Sequence, residues 1–279
     1  MSSLDYRMRK AILAFVALVT ITLLSSCTTT EQSSNIDYDR DVVYQVSLLQ
    51  GLTFGDYYGS IDVAELKSHG DIGIGTFDKL NGELIMVDGV VYRAAGDGSV
   101  EVVKDEETIP FSNVTFLDGD ETKAISEIPD YDTLLALLNE MVEEKGKNRF
   151  YVIRIDGTFN EANVRSEYAQ EEPYKPLVDV LAVDQTFFDY ENIEGTLVGL
   201  YCPPYMADLN ATGWHLHFIS KDKSKGGHAL GINISNATLI WDDTDIFQMI
   251  LPANDMFASF DLTIDQSEDI KKVETDIRQ

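Results

Sequence analysis

Short stretches of alternating apolar and polar residues dominate the chain between residues 42 and 98. Residues 42–49 are rich in apolar side chains and fit either a strand or the start of a short helix. Asn81-Gly82 and Asp88-Gly89 separate strand-like stretches, and such pairs favour two-residue hairpin turns. The pattern predicts a meander of short antiparallel strands at residues 71–77, 83–87 and 90–94.

The clearest helix is predicted over Tyr131–Lys145, where apolar residues recur at helical spacing and acidic residues lie opposite them. Shorter helices are predicted at residues 61–69, 177–183 and 264–275, and further strands at 148–156, 192–201, 214–219 and 227–241. This order of elements predicts an α+β fold with two mixed or antiparallel β-sheets and a few helices. We expect an N-terminal β-sheet half at residues 41–148 and a C-terminal β-sheet half at residues 149–279.

The N-terminus has the pattern of a bacterial export signal. Three basic residues precede Ala11–Leu24, an apolar run that is short for a spanning helix and suits a signal peptide. Leu24-Ser25-Ser26-Cys27 follows and resembles a lipobox, in which the cysteine becomes the lipid-modified first residue of the mature chain. We predict a signal peptide at residues 1–26, lipidation of Cys27, a tether at residues 27–40, and a domain held outside the cytoplasm on a bacterial membrane. An ordinary secretory signal is the alternative.

The charge of the chain argues against one class of partner. Acidic residues number 48 and basic residues 21, which gives a net charge of -27. A surface of this sign repels phosphate backbones, so we expect no nucleic-acid partner. Only two cysteines are present. If Cys27 carries lipid, Cys202 is left without a disulfide partner, and its place before two prolines favours a small buried residue.

The histidines carry the strongest chemical signal. His215 and His217 are two positions apart on a predicted strand, so their rings leave the same face. His228 opens the following strand after a polar turn and can lie opposite that pair. Three imidazoles with a vacant fourth position are typical of catalytic zinc. We predict a Zn²⁺ site between the two sheets, while iron or manganese would accept the same ligands.

Three histidines do not name a reaction by themselves, and a hydrolase, a lyase and an oxygenase all stay open at this point. The surrounding segments are more specific. They are Gly75-Thr76-Phe77, Leu80 to Ile85, Gly157-Thr158-Phe159, Arg165-Ser166, Glu172 to Leu177, Gly195 to Gly199, Gly213 to Ser220 and Gly226-Gly227-His228. In this order the segments resemble those of the α-acetolactate decarboxylases, and the resemblance runs from about Tyr44 to Glu274.

The resemblance implies a lyase that converts 2-acetolactate, a small 2-hydroxy-3-oxo acid, to acetoin and CO2 without an organic cofactor. It implies that zinc is held by His215, His217 and His228 and acts as a Lewis acid that stabilises an enediolate. It places the family's metal-proximal glutamate on Glu83, its substrate-binding arginine on Arg165, and its active-site threonine on Thr76. The C-terminal glutamate that completes the catalytic set falls on Glu274, and a glutamate is expected to act as proton donor.

Several alternatives stay open. Glu268 is close enough to Glu274 to take its place as the C-terminal carboxyl group. The chain also departs from the family after the arginine, where Glu167-Tyr168-Ala169 replaces a stretch that is often basic or proline-containing. A surface binding lipoprotein with the same fold and no catalysis is one alternative function, and a zinc-dependent hydrolase is another. Dimers are common in the family, so a homodimer is possible.

Overall fold

The computed structural model describes residues 39–274. The predicted signal peptide, Cys27 and all but the last two residues of the predicted tether lie outside this range. Within it, no helix is long and apolar enough to cross a membrane. The described residues confirm the predicted α+β class, with two large β-sheets and a small number of helices.

The first sheet has seven strands, drawn largely from the N-terminal half. In spatial order they are β14 (Ile246–Ile250), β1 (Val42–Val46), β8 (Phe111–Thr115), β3 (Ile72–Thr76), β4 (Glu83–Val87), β5 (Val90–Ala94) and β6 (Val100–Val102). All neighbours are antiparallel except β1 and β14. The predicted meander is present as β3, β4 and β5. Two short strands, β2 (Ile61–Asp62) and β7 (Thr108–Ile109), pair separately.

The second sheet has five strands, and three of them are long. In spatial order they are β10 (Phe150–Glu167), β11 (Gln185–Cys202), β12 (Gly213–Ser220), β13 (Gly226–Thr244) and β9 (Glu121–Ile128). Because β10 also pairs with β13, the first four strands close on themselves, and β9 lies outside that ring. All pairings in this sheet are antiparallel.

The helices are few and mostly short. They are α1 (Leu49–Thr53), α2 (Val63–Lys67), α3 (Tyr131–Lys145), α4 (Leu177–Leu181), α5 (Asp255–Ser259) and α6 (Ser267–Glu274). The predicted helix at Tyr131–Lys145 is confirmed with the predicted bounds. It begins after Asp130, whose carboxylate accepts a hydrogen bond from the backbone N–H of Thr133, and it ends at Gly146 with a positive φ.

Alternation along the strands places two apolar layers on opposite faces of the second sheet. Val152 packs between the two sheets with Ile74 and Ile85 of the first. Its neighbour Ile153 points to the other face and packs against Leu138 of α3. This part of the second sheet is therefore buried on both faces, which explains continuous buried runs such as residues 195–202 of β11.

Two sequence-based expectations are corrected. Asn81-Gly82 is not a two-residue turn, because Thr76 pairs with Glu83 and the connection includes residues 77–82 with a 3₁₀ turn at Asp78–Leu80. A boundary at residue 148 also does not separate the sheets. The strand β9, before that boundary, joins the second sheet, and β14, after it, joins the first. Local turn and strand signals carry no information about which sheet a strand pairs with.

Candidate metal centre

Strand pairing brings the three predicted metal ligands together. His215 and His217 lie on the same face of β12, while Leu216 between them points into the apolar layer of the second sheet. The antiparallel pairing of β12 with β13 puts His228 directly opposite His217. All three side chains are buried. The hairpin predicted from the sequence is therefore what makes the imidazoles converge.

The imidazole nitrogens converge on one point. His215 Nε2 lies 3.1 Å from His217 Nε2 and 3.1 Å from His228 Nδ1. The three ligand atoms lie within 4.8 Å of one another. Nitrogens at about 2.0 Å from a tetrahedral zinc ion would be separated by roughly 3.3 Å. The donor set therefore fits a small divalent metal ion.

The surroundings keep these imidazoles neutral, which is the form that binds metals. Burial and, to a smaller extent, the positive charge of Arg165 lower the pKa of His215 to about 3. Burial likewise lowers the pKa values of His217 and His228. The Nδ1–H of His217 donates a hydrogen bond of 2.8 Å to the carbonyl oxygen of Leu84. That bond leaves the lone pair of His217 Nε2 pointing at the cluster.

Two carboxyl groups flank the histidines from different elements. Glu83, the first residue of β4, places Oε2 3.4 Å from His217 Nε2. Glu274, the last residue of α6, places Oε2 3.6 Å from His215 Nε2. Burial raises the pKa of Glu274 to about 7, while Arg165 opposes the rise. Burial also raises the pKa of Glu83, with a further contribution from the carboxyl group of Glu167.

Arg165 connects the second sheet to the C-terminal helix. It lies on β10 opposite His228, and its guanidinium donates from Nη2 to the carbonyl oxygen of Val273. The side chain is buried, and its Nε has no hydrogen-bond partner among the described residues. One guanidinium therefore fixes the end of α6 and still has a free donor inside the site.

A cavity of about 40 Å³ is lined by Glu83, Arg165, His215, His228 and Glu274. Thr76 also lines it, and its hydroxyl donates to the carbonyl oxygen of Gly82. Every described residue that the sequence pointed to is part of this constellation, namely Thr76, Glu83, Arg165, His215, His217, His228 and Glu274. Glu268 is exposed and does not line the cavity, so the C-terminal carboxyl group of the site is that of Glu274.

Sequence reasoning missed Glu167 as a site residue. This buried glutamate ends β10 and lines the same cavity. Its position was available as a signal, because residues two apart on a strand share a face and Arg165 had already been selected. With Glu167 included, Glu83, Glu274 and Glu167 surround a single guanidinium. A bound cation would reduce the repulsion among these carboxyl groups.

The chain is similar to known proteins over most of its length. The alpha-acetolactate decarboxylase family model matches residues 43–264, a range that includes all the site residues named above except Glu274. A relative called alpha-acetolactate decarboxylase from Methanosarcina mazei is 40% identical over 234 residues, which cover 84% of this chain and 80% of the relative. The relative of that name from Bacillus subtilis strain 168 is 35% identical over 84% of this chain and 89% of its own.

The fold is also similar to solved structures. The crystal structure of alpha-acetolactate decarboxylase from Bacillus subtilis strain 168 superposes with a TM-score of 0.81 at 34% identity, covering 84% of this chain and 99% of that one. A Staphylococcus aureus protein of unknown function, described as similar to alpha-acetolactate decarboxylase, gives a TM-score of 0.78 at 28% identity. It covers 84% of this chain and 100% of that one.

Proposed function

The chain belongs to the alpha-acetolactate decarboxylase family and is a lyase, and from this premise we propose that it converts 2-acetolactate to acetoin and CO2 at the histidine cluster. One observation carries the proposal. His215, His228, Arg165, Glu83 and Glu274 line one cavity, and His217 lies beside it in the histidine cluster, although these residues come from both sheets and the C-terminal helix.

The metal is proposed to be zinc, held by His215 Nε2, His217 Nε2 and His228 Nδ1. The neutral state of these imidazoles and their nitrogen separations support this assignment. When bound, zinc would supply a Lewis acid for the ketone and hydroxyl oxygens of the substrate, where negative charge develops as CO2 leaves. Iron or manganese would offer similar chemistry with the same donors.

Arg165 is proposed to bind the substrate. Its Nε–H has no partner among the described residues, and the buried guanidinium lines the cavity, where a charged hydrogen bond to a carboxylate or ketone oxygen is stronger than in water. The bond to Val273 holds the guanidinium in one orientation. The same contact closes α6 over the site, so substrate binding and closure of the cavity depend on one side chain.

Glu83 or Glu274 is proposed to return the proton. Loss of CO2 leaves an electron pair that is shared between carbon and oxygen, and acetoin forms when a proton is added to that carbon. The donor must be protonated near neutral pH, and burial favours the protonated form of both carboxyl groups. They approach the histidines from different elements, so the choice between them decides which face of the carbon is protonated.

An assay of acetoin formation by the purified mature protein tests the proposed activity. Incubated with racemic acetolactate, the zinc-loaded protein is expected to form acetoin faster than the spontaneous reaction, and a chelator is expected to stop it. A His69→Ala variant is the matched control, because His69 stacks on Tyr44 away from the site. Protein with bound zinc and only the spontaneous rate of acetoin formation would favour a non-catalytic binding protein. Turnover of esters without decarboxylation would favour a hydrolase.

For the N-terminal segment we propose lipidation at Cys27 and attachment to a bacterial membrane outside the cytoplasm, supported by the sequence alone. Labelling with a radioactive fatty acid in the bacterial host is expected to mark the wild type and spare a Cys27→Ser variant. Label on both proteins, or on neither, would contradict lipidation at this residue. A homodimer is proposed only because dimers are common in the family. Light scattering of the mature domain measures its oligomeric state and tests this proposal.

A further inference from the structure

Glu167 has no role in the steps proposed above, although it lies in the same cavity. It follows Arg165 by two positions on β10, so both side chains leave the same face of the strand. Glu167 is 2% exposed. A carboxyl group is costly to bury unless its oxygens accept hydrogen bonds. The position of Glu167 therefore calls for a partner inside the site.

The protein supplies too few donors for this carboxyl group. Glu167 Oε2 is buried and has no hydrogen-bond donor among the described residues. The other contacts of this carboxyl group are with the backbone N–H of Glu167 itself, the hydroxyl of Thr76 and the carboxyl group of Glu83, and a carboxylate supplies no donor. The single hydroxyl proton of Thr76 can serve the carbonyl oxygen of Gly82 or this carboxyl group, and Oε2 stays without a partner. The Oε2 acceptor of this cavity-lining residue is thus left for a ligand.

The proposed substrate has one matching group. A 2-hydroxy-3-oxo acid at neutral pH carries a carboxylate and a ketone, which only accept hydrogen bonds, and one hydroxyl, which donates. Arg165 suits the accepting groups. We propose that Glu167 binds the substrate by accepting a hydrogen bond from its hydroxyl group, and so makes this chain selective for 2-hydroxy acids. The inference rests on the proposed function for the identity of the substrate.

The selectivity follows from the cost of an unpaired buried acceptor. A ligand without the hydroxyl would enter the cavity and leave Glu167 Oε2 without a donor, and a site built around a hydroxyl strongly rejects such analogues. A ligand with the hydroxyl completes the hydrogen bonds of the carboxyl group. Discrimination should therefore depend on Glu167 even for ligands that cannot react.

Binding of two unreactive acids tests the proposal. 2-Hydroxy-2-methylbutanoate and 2-methylbutanoate differ only in the hydroxyl, and neither is a β-keto acid that can lose CO2. Calorimetry on the zinc-loaded mature protein is expected to show tighter binding of the hydroxy acid, by roughly ten-fold or more. In Glu167→Met, which has similar length and no strong acceptor, this preference is expected to fall about ten-fold. Glu167→Gln keeps one acceptor oxygen, so its preference for the hydroxy acid should lie between that of the wild type and that of Glu167→Met.

Glu161→Gln is the matched control, because Glu161 is an exposed glutamate on the same strand, and its preference should equal that of the wild type. Zinc content is measured for each variant so that loss of metal is recognised. An unchanged preference in Glu167→Met would overturn the proposal, as would a wild type that does not distinguish the two acids. If Glu167→Met does not fold, Glu167→Gln decides by the same criterion. Acetolactate turnover is measured separately, so failure of the proposed reaction is distinct from failure of this inference.

Discussion

His217 is the proposed ligand with the least freedom to move. Its ring is buried, its Nδ1–H donates to the carbonyl oxygen of Leu84, and its Nε2 lies close to both His215 and Glu83. The carbonyl that orients it belongs to the first sheet, while the histidine belongs to the second. Orientation of this ligand therefore depends on correct packing of the two sheets, as well as on the local hairpin.

Replacing His217 by alanine is expected to abolish stable metal binding, because two imidazoles cannot complete the predicted set of three. Metal analysis of the purified variant should show loss of the zinc found in the wild type, and acetoin formation should fall to the spontaneous rate. His69→Ala should retain metal and activity. Full zinc occupancy in His217→Ala would mean that the cluster does not bind the metal in the proposed way.

Arg165→Lys is expected to lower kcat/KM by about 100-fold while leaving the fold intact. Lysine keeps the charge but cannot hold the carbonyl oxygen of Val273 and a substrate oxygen with one planar group. Steady-state kinetics measure the effect, and circular dichroism checks the fold. The matched control is Arg154→Lys on the same strand, since Arg154 pairs with Asp88 and Asp156 away from the cavity. Equal activities for the two variants would contradict the role of Arg165.

The predictability of the site depended on how distinctive each residue type is. With four histidines in the chain, a pair two apart and a third across a turn stood out from spacing alone. Glu83, Arg165 and Glu274 came only from the family resemblance. Glu167 escaped because its residue type is common in this chain, which has 48 acidic residues, and its one signal was the spacing of two from Arg165. Its role becomes visible only when burial separates it from the solvated majority.

Among the elements, α3 was predicted with its full bounds because its apolar stripe, its N-terminal Asp130 and its C-terminal Gly146 all agree. The long strands were predicted too short. The prediction for β10 ended at residue 156, whereas the strand continues to Glu167. Beyond Gly157 its residues alternate less clearly in burial, and β-bulges interrupt the pairing with β13. Pairing on both sides, rather than local pattern, extends this strand.

The stripe on α3 yields an energetic prediction. Leu138 is fully buried against the second sheet, whereas Leu137 on the neighbouring face is only partly buried. Leu138→Ala is expected to lower the free energy of unfolding by roughly 2–4 kcal/mol, because it removes buried apolar area and leaves a cavity. Leu137→Ala serves as the matched control and should cost about half as much or less. Urea denaturation of both variants measures the difference, and equal losses would contradict the observed helix orientation.

At the scale of the whole molecule, the two sheets are connected by exchanged strands. The chain leaves the first sheet after β8 and enters the second at β9 through residues 116–120. Asp242 on β13 holds this connecting segment in place, because its carboxylate accepts hydrogen bonds from the backbone N–H groups of Asp118 and Gly119. Its neighbour Trp241 points into the apolar layer on the opposite face. A buried acidic side chain thus lies where the chain passes from one sheet to the other.

This junction makes the stability of the whole domain depend on pH. Burial, together with the negative charge of Asp120, raises the pKa of Asp242 to about 7, although the hydrogen bond from the N–H of Gly119 opposes the rise. The folded state therefore binds a proton more tightly than the unfolded chain, in which an aspartate has a pKa near 3.9. Between about pH 4 and pH 7 the contribution of Asp242 to stability falls as pH rises. Above pH 7 the destabilisation of the folded state by the buried, ionised carboxylate is fully present.

Asp242→Asn is expected to remove this loss, because the amide oxygen can still accept the bond from Gly119 and carries no charge. At pH 8 the variant should be more stable than the wild type by roughly 2–4 kcal/mol. At pH 4.5, where the wild-type carboxyl group is protonated in the folded state, the two should nearly coincide. Urea denaturation at both pH values measures the gap, and Asp132→Asn, at an exposed aspartate, controls for the change in net charge. A gap that is the same at both pH values would show that Asp242 does not titrate as a buried group, and that the junction tolerates its charge.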